Sequence, residues 1–551
     1  MPQRDRVRRP THNPIRRPYI PGSRTSENPV TEKPNPAPVS VDPERSGHAK
    51  IFKIQRAVNR VSSRPNILLL MCDQLSAGVL ECYGGQARSP NISRIASDGA
   101  MFTNAICPYP ICSPSRASMI TGKAPHSHGI THNVNRLDYP SIPSPSTEEG
   151  LKADDLTTGR ILSSEGYETH HYGKWHLSDG RLPYYEDMYR ENQEYLSEMA
   201  EVFRRARKLP DERWLSWYSW DLPVTVDPEV RDTFRSWGDR WMDDPLGRFI
   251  RHMGRLDLPV EDTFDYRAAE RCVQAVERAE EPFMITCSFN YPHSPEVIPS
   301  PYYESYTREE IRLPGNFDAL EERFKGDISR RIYDELGEII VREFLRFYYG
   351  SILLVDDMIG RILDSLEEAG KLDDTIIVFT ADHGDMVGGH GMISKGTKAL
   401  YDEMIRIPLL IRSGEEPRTV ERDVSLMDLM PTLLELAGSR RRPDGWGRSL
   451  VPYLTGSDGP PIHRYCFCEN LTPNQGHTRQ LSPETRGIFV IRGKGWKYLR
   501  YMDGEEYLYH LTDDPGETRD LSDDPEAAEM RKKLSRELDN WLEETGYPGV
   551  R

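Results

Sequence analysis

The sequence predicts an α/β fold: a mostly parallel central sheet with helices on both faces, followed by a small α+β domain with an antiparallel sheet. Apolar runs of strand length recur, each ending in Asp, His, Gly or Pro, as in "RPNILLLMCDQLSAG", "EPFMITCSFNYPHSP" and "DDTIIVFTADHGDMVGGHG". Between them lie stretches with apolar residues every three or four positions, "LTTGRILSSEG", "DYRAAERCVQAVERAEE" and "DDMIGRILDSLEEAG", which read as helices. Strands that are apolar throughout are buried on both faces. Their alternation with helices implies a parallel sheet, whose functional residues gather beyond the strand carboxyl ends.

In chain order, residues 1–63 form a basic, Pro-rich arm that is expected to be extended or disordered. Its opening, "MPQRDRVRRPTHNPIRRPYIPGS", lacks the apolar core of a secretory signal, so a cytoplasmic location is expected. Residues 64–444 are expected to form the main α/β domain. Within them, residues 183–260 break the strand–helix rhythm with a Tyr-, Trp- and Arg-rich insertion that includes "RWLSWYSWD" and "RSWGDRWMDD". Such aromatic faces suit either a sugar or aryl group beside the site or a satellite core. "SLMDLMPTLLELAG" should close this domain as a helix. Residues 445–551, with "GIFVIRG", "WKYLRYM" and the helical "EMRKKLSRELDNWLEE", are expected to form the C-terminal domain.

A chain of 551 residues exceeds one compact core. The formal net charge of -16 argues against a nucleic-acid partner, because phosphate recognition needs a broad basic face. No stretch approaches the roughly 20 apolar residues of a membrane span. The eight cysteines are scattered, apart from the pair in "YCFCEN", and match neither a zinc cluster nor a disulfide scaffold.

One cysteine stands apart. In "YPICSPSRASMITGKAPHSHG", Cys112 precedes Ser-Pro-Ser-Arg. A thiolate phosphatase loop needs five residues between Cys and Arg, whereas three separate Cys112 from Arg116. "CSPSRASMITG" resembles the signature of the formylglycine-dependent type I sulfatases of the alkaline phosphatase superfamily. The resemblance continues in order through "HYGKWHLSDG", "NYPHSP", "FTADHGDMVGGHG" and "SKGTKALYDEMIRIPLLI", and ends in a C-terminal hairpin at "YLYHLTDDPGETRDLS".

The resemblance implies hydrolysis of a sulfate monoester, with a sulfated carbohydrate the expected substrate. Cys112 would be oxidised to formylglycine by a formylglycine-generating enzyme. Asp73, Gln74, Asp382, His383 and residue 112 would hold one divalent cation. Oxygen-rich ligation favours calcium, while the His383 imidazole admits manganese. A hydroxyl of the aldehyde hydrate would attack sulfur. Arg116 would hold the hydrate and the metal-side charge, Lys174 and Lys395 the sulfate oxygens, His176 would act as base, and His293 with Lys395 would protonate the leaving oxygen. His128 and Asn133 are expected at the substrate side. Sulfate transfer needs these groups because charge develops on both the sulfuryl oxygens and the leaving oxygen.

Gln74, where many relatives carry a second Asp, also resembles the phosphonate monoester hydrolases, which makes a phosphonate or phosphodiester hydrolase the alternative. Against that stands the intact "GKWH". A non-catalytic relative binding sulfated glycans should have lost Cys112, the carboxylates or the lysines, all of which are present.

Overall fold

A computed structural model describes residues 64–134, 150–152, 155–177, 224–235, 253–325, 327–396, 398–456, 460–471 and 487–547. The basic arm and most of the aromatic insertion, including "RWLSWYSWD", lie outside the described residues. The strands are β1 (Asn66–Asp73), β2 (Ala100–Ile106), β3 (Glu168–Gly173), β4 (Val224–Thr225), β5 (Gly254–Leu256), β6 (Phe283–Pro292) and β7 (Val297–Pro299), then β8 (Thr375–Ala381), β9 (Arg406–Arg412), β10 (Arg418–Ser425), β11 (Cys466–Asn470), β12 (Ile488–Gly493), β13 (Trp496–Tyr501) and β14 (Glu506–His510).

Seven of them make the central sheet in the order β10-β2-β9-β8-β1-β6-β3. β1 pairs in parallel with β6 and β8, β3 with β6, and β10 with β2, while β9 runs antiparallel to both of its neighbours. The expected mostly parallel sheet is therefore present. Every residue of β1, β6 and β8 is buried, as their unbroken apolar runs require.

Helices cover both faces. α1 (Pro90–Ser97), α4 (Phe264–Arg278) and α5 (Glu338–Glu368) pack together in one layer, and α2 (Cys112–Thr121), α3 (Thr158–Ser164) and α6 (Leu429–Leu436) in another. α5 is twice the length of the helix legible from "DDMIGRILDSLEEAG". Its first half, "EIIVREFLRFYYGSILLV", is apolar nearly all round, so its periodicity is blurred. Burial of Phe344, Leu345, Phe347, Tyr348, Ile352 and Val355 explains that composition, each such side chain contributing about 1.5–3 kcal/mol.

The C-terminal strands form an antiparallel sheet, β11-β12-β13-β14. Alternate residues face opposite ways. Cys466, Cys468, Val490 and Leu499 join the main core, while Phe467, Phe489, Ile491 and Tyr498 pack on Leu534, Leu538 and Trp541 of α7 (Ala528–Glu544). The Phe467 and Trp541 rings stack at 4.5 Å. Among the described residues no helix is long and apolar enough to cross a membrane.

Candidate active site

Four adjacent strands, β8, β1, β6 and β3, end along one edge of the sheet and present Asp382, Asp73, His293 and Lys174 in turn. Gly173 makes the last of these turns: its φ is 88° and a Cβ there would lie 2.0 Å from the Ser288 carbonyl oxygen, so only glycine lets β3 approach β6 this closely. Gln74 and His176 also have left-handed backbones, with φ of 63° and 61°. Such conformations cost roughly 1–3 kcal/mol each and are held by the surrounding packing.

Cys112 opens α2, and the helix runs beneath the sheet edge with every residue buried. Its Sγ lies 3.3 Å from His383 Nε2, 3.5 Å from Lys395 Nζ, and 3.6 Å from both Lys174 Nζ and Asp73 Oδ1. His176 and His293 also reach the thiol. Burial alone would raise the Cys112 pKa, but the Lys174 and Lys395 ammonium groups and His383 outweigh it and hold the thiol well below its ordinary value. The surroundings of Sγ thus favour an anion.

Arg116, one turn along α2, does not touch that thiol. Its guanidinium donates to Asp382 Oδ2 at 2.7 Å, Asp73 Oδ2 at 3.3 Å, Lys174 O at 2.8 Å and Ser288 Oγ at 2.9 Å. Of its two expected roles, holding the hydrate and the metal-side charge, these contacts match the second: Arg116 ties the two buried carboxylates together. Asp73 also pairs with Lys174. Despite burial and the adjacent Cys112, Lys174, His293 and Arg116 keep Asp73 well below the usual carboxylate range.

The cation reading can be tested on the donors themselves. Ligand atoms of Asp73, Cys112, Asp382 and His383 all lie within 4.8 Å of one another, and all four residues are buried. His383 Nδ1 donates to the Gly384 carbonyl at 2.9 Å, which turns Nε2 toward the cluster. Although burial opposes it, Asp382 and Cys112 push the His383 pKa up to about 9, the response of a site rich in negative charge. Gln74 Oε1 is buried with no hydrogen-bond partner among the described residues. These donors fit a hard divalent ion.

His293 Nδ1 lies 2.7 Å from the Ser294 carbonyl, so that nitrogen carries the proton and Nε2 accepts from Lys395 Nζ at 2.9 Å. Burial, then Lys395, lowers the His293 pKa, and burial, then Lys174, lowers that of His176. Both imidazoles are consequently biased to the neutral form.

His128 is not brought to this constellation. Its Nε2 lies 3.0 Å from Ser118 Oγ, its Nδ1 accepts from the Ile130 N–H at 3.1 Å, and burial lowers its pKa to about 3. Asn133 Oδ1 accepts from the Ser113 N–H at 3.1 Å, capping the start of α2. Sequence reasoning missed Ser288 and Asp385. Ser288 is hidden inside a strand, whereas Asp385, three residues after Asp382 in "ADHGD", carried a visible signal. His126 and His390 are structural: His126 bonds Glu469 and Thr545, and His390 stacks on Tyr401 at 3.7 Å.

A pair of buried carboxylates beside a cationic cradle, at the carboxyl edge of a mostly parallel sheet, defines a hydrolase of anionic esters. The chain belongs to the sulfatase family, whose model matches residues 65–439, and it is a sulfuric ester hydrolase. Residues 388–544 match the model for the C-terminal part of N-sulphoglucosamine sulphohydrolase. It is 26% identical to the ulvan-active sulfatase of Formosa agariphila, over 88% of this chain and 82% of that one. It is 25% identical to the N-acetylglucosamine-6-O-sulfatase of Bacteroides thetaiotaomicron, over 87% and 86%. In fold it resembles the phosphonate monoester hydrolase of Silicibacter pomeroyi, with a TM-score of 0.67 and 22% identity over 87% of this chain and 96% of that one.

Proposed function

We propose that the chain hydrolyses the sulfate monoester of a sulfated sugar, using residue 112 as formylglycine and one divalent cation, calcium ahead of manganese. The observation that carries this reading is the convergence of Lys174, Lys395 and His383 on Cys112 Sγ, with Asp73 and Asp382 alongside. The sulfur stands in for the oxygens of the aldehyde hydrate. The sugar is suggested by the relatives named for N-acetylglucosamine 6-O-sulfate and ulvan.

Asp73, Gln74, Asp382, His383 and residue 112 would hold the cation. The hydrate supplies the attacking oxygen, and the cation the positive charge that makes it acidic. Around them, Lys174 and Lys395 bind the sulfuryl oxygens and stabilise the charge that grows there. Neutral His176, against residue 112, is the base. Lys395 and His293 act as a pair at the leaving oxygen: with Nδ1–H on Ser294, Nε2 gains a proton only from the Lys395 ammonium, which becomes the neutral amine as that proton passes on to the departing alcohol. Arg116 keeps the two carboxylates fixed while this happens. Residues 64–444 form the catalytic domain in this reading, and 445–551 a small C-terminal domain.

The test is co-expression with a formylglycine-generating enzyme, the mass of the peptide containing Cys112, and turnover of N-acetylglucosamine 6-sulfate, 4-nitrophenyl sulfate and a phenylphosphonate monoester side by side. Aldehyde at residue 112 and the highest kcat/KM on the sugar sulfate are expected. Unconverted thiol beside a converted control would overturn the nucleophile, and a preference for the phosphonate would overturn the substrate.

A further inference from the structure

We propose that Asp385 is a positioning residue that sets the polarity of the Gln74 amide, so that Gln74 Oε1 rather than its NH2 group is presented to the cation. The inference rests on the reading that Asp73, Asp382 and His383 hold a divalent ion.

Gln74 directly follows the last residue of β1 and is 1% exposed. Its backbone N–H donates to Asp382 Oδ1 at 3.0 Å, which anchors it beside the carboxylate cluster. Its side-chain Nε2 donates to Asp385 Oδ2 at 2.5 Å. The other oxygen of Asp385 accepts the N–H groups of Val387 at 2.8 Å and Ser394 at 3.0 Å. A carboxylate accepts hydrogen bonds and offers none, so the end of the Gln74 amide that faces it must be the NH2 group.

The carbonyl end is thereby left over. Oε1 is buried and finds no hydrogen-bond donor among the described residues. An orphan buried acceptor is destabilising, and coordination to a hard cation removes that cost. Turned over, the same amide would offer the cation only N–H groups, which cannot ligate it. Through Ser394 the same carboxylate also fixes the residue preceding Lys395. One buried side chain thus links the cation side of the site to the sulfate side.

Asp385→Asn is nearly isosteric and isolates the effect. Its carbonyl oxygen can still accept from Val387 and Ser394, while its NH2 replaces the acceptor facing Gln74 and would pair with Oε1. The amide would then turn over. Calcium is titrated by calorimetry into the metal-stripped full-length protein, with formylglycine content matched by mass, for wild type, Asp385→Asn, Gln74→Met and the double variant.

Asp385→Asn is expected to weaken calcium binding by about 10- to 100-fold, the usual effect of losing a residue that orients a ligand, and Gln74→Met by a similar factor. The double variant is expected to bind no more weakly than Gln74→Met, because Asp385 acts through that one side chain. Wild-type affinity in Asp385→Asn, or its full penalty persisting in the Gln74→Met background, would overturn the inference. Should Asp385→Asn fail to fold, wild-type affinity in Gln74→Met alone would overturn it. Wild-type protein that binds neither calcium nor manganese would sink the cation reading itself, an outcome visible before any variant is compared.

Discussion

Replacing Arg116 with Met removes the guanidinium that joins Asp73 to Asp382. Arg116 is 1% exposed and both carboxylates are 0% exposed, so water cannot take over its bonds. Leaving a buried charge without its partner costs about 3–5 kcal/mol. Lys174 still pairs with Asp73, and the N–H groups of Gln74 and His383 still reach Asp382 Oδ1. These survivors place the expectation at the low end, about 3 kcal/mol, a factor of roughly 10² in the folded-to-unfolded ratio. Equilibrium urea unfolding in excess chelator measures it without contribution from a bound ion. Arg116→Lys, which can reach one carboxylate but not fork between two, is expected to recover about half. A loss below about 1 kcal/mol in Arg116→Met would refute the argument that this guanidinium is the counter-charge of the carboxylate pair.

His293→Ala is expected to lower kcat on N-acetylglucosamine 6-sulfate by about 10²–10⁴ but to spare 4-nitrophenyl sulfate, whose leaving group needs no proton. Equal losses on both would remove His293 from leaving-group protonation. His128→Ala should leave kcat/KM unchanged while lowering the melting temperature, since both ring nitrogens serve internal bonds. A selective fall in kcat/KM would return His128 to the substrate side. Glu296, buried with no hydrogen-bond partner for Oε1 among the described residues, has its pKa pushed by burial from 4.5 up to about 8. The native state therefore keeps a proton that the unfolded chain releases. The associated stability is whole below pH 4.5 and lost as pH rises through about 8. Melting curves of Glu296→Gln should gain on wild type across that window, and parallel curves would contradict the assignment.

Much of the site was legible because each residue closes a local pattern. Asp73, His293 and Asp382 each stand at or just beyond the end of a strand recognisable by its apolar run, whereas β3, ETHHYG, has none and Lys174 was reached through the resemblance of "HYGKWHLSDG" to the sulfatase motif. Cys112 was legible through the resemblance of "CSPSRASMITG" to the sulfatase signature, while its spacing from Arg116 served only to set aside a thiolate phosphatase loop. The place of Arg116 at the metal-side charge came with the family resemblance, but its individual partners were not legible, because they come from β1, the turn after β8, the turn after β3 and the middle of β6, far apart in the chain. His128 misled for the complementary reason. A histidine beside a signature motif looks functional until Ser118 and the Ile130 N–H are found occupying it.

By itself the sequence determined the strand cores, the parallel class of the sheet and the inventory of charged groups, since these depend on hydrophobic period and residue type, both local properties. It also carried the family, through motifs whose order survives any arrangement in space. Tertiary structure decided which charges meet. It reversed β9 within the sheet and set the Arg116 guanidinium between Asp73 and Asp382. It aimed the lone pair of His293 at Lys395 and brought Asp385 to the Gln74 amide. Those outcomes rest on hydrogen-bond direction and on contacts between residues hundreds of positions apart, which become defined only when the sheet edge closes around Cys112.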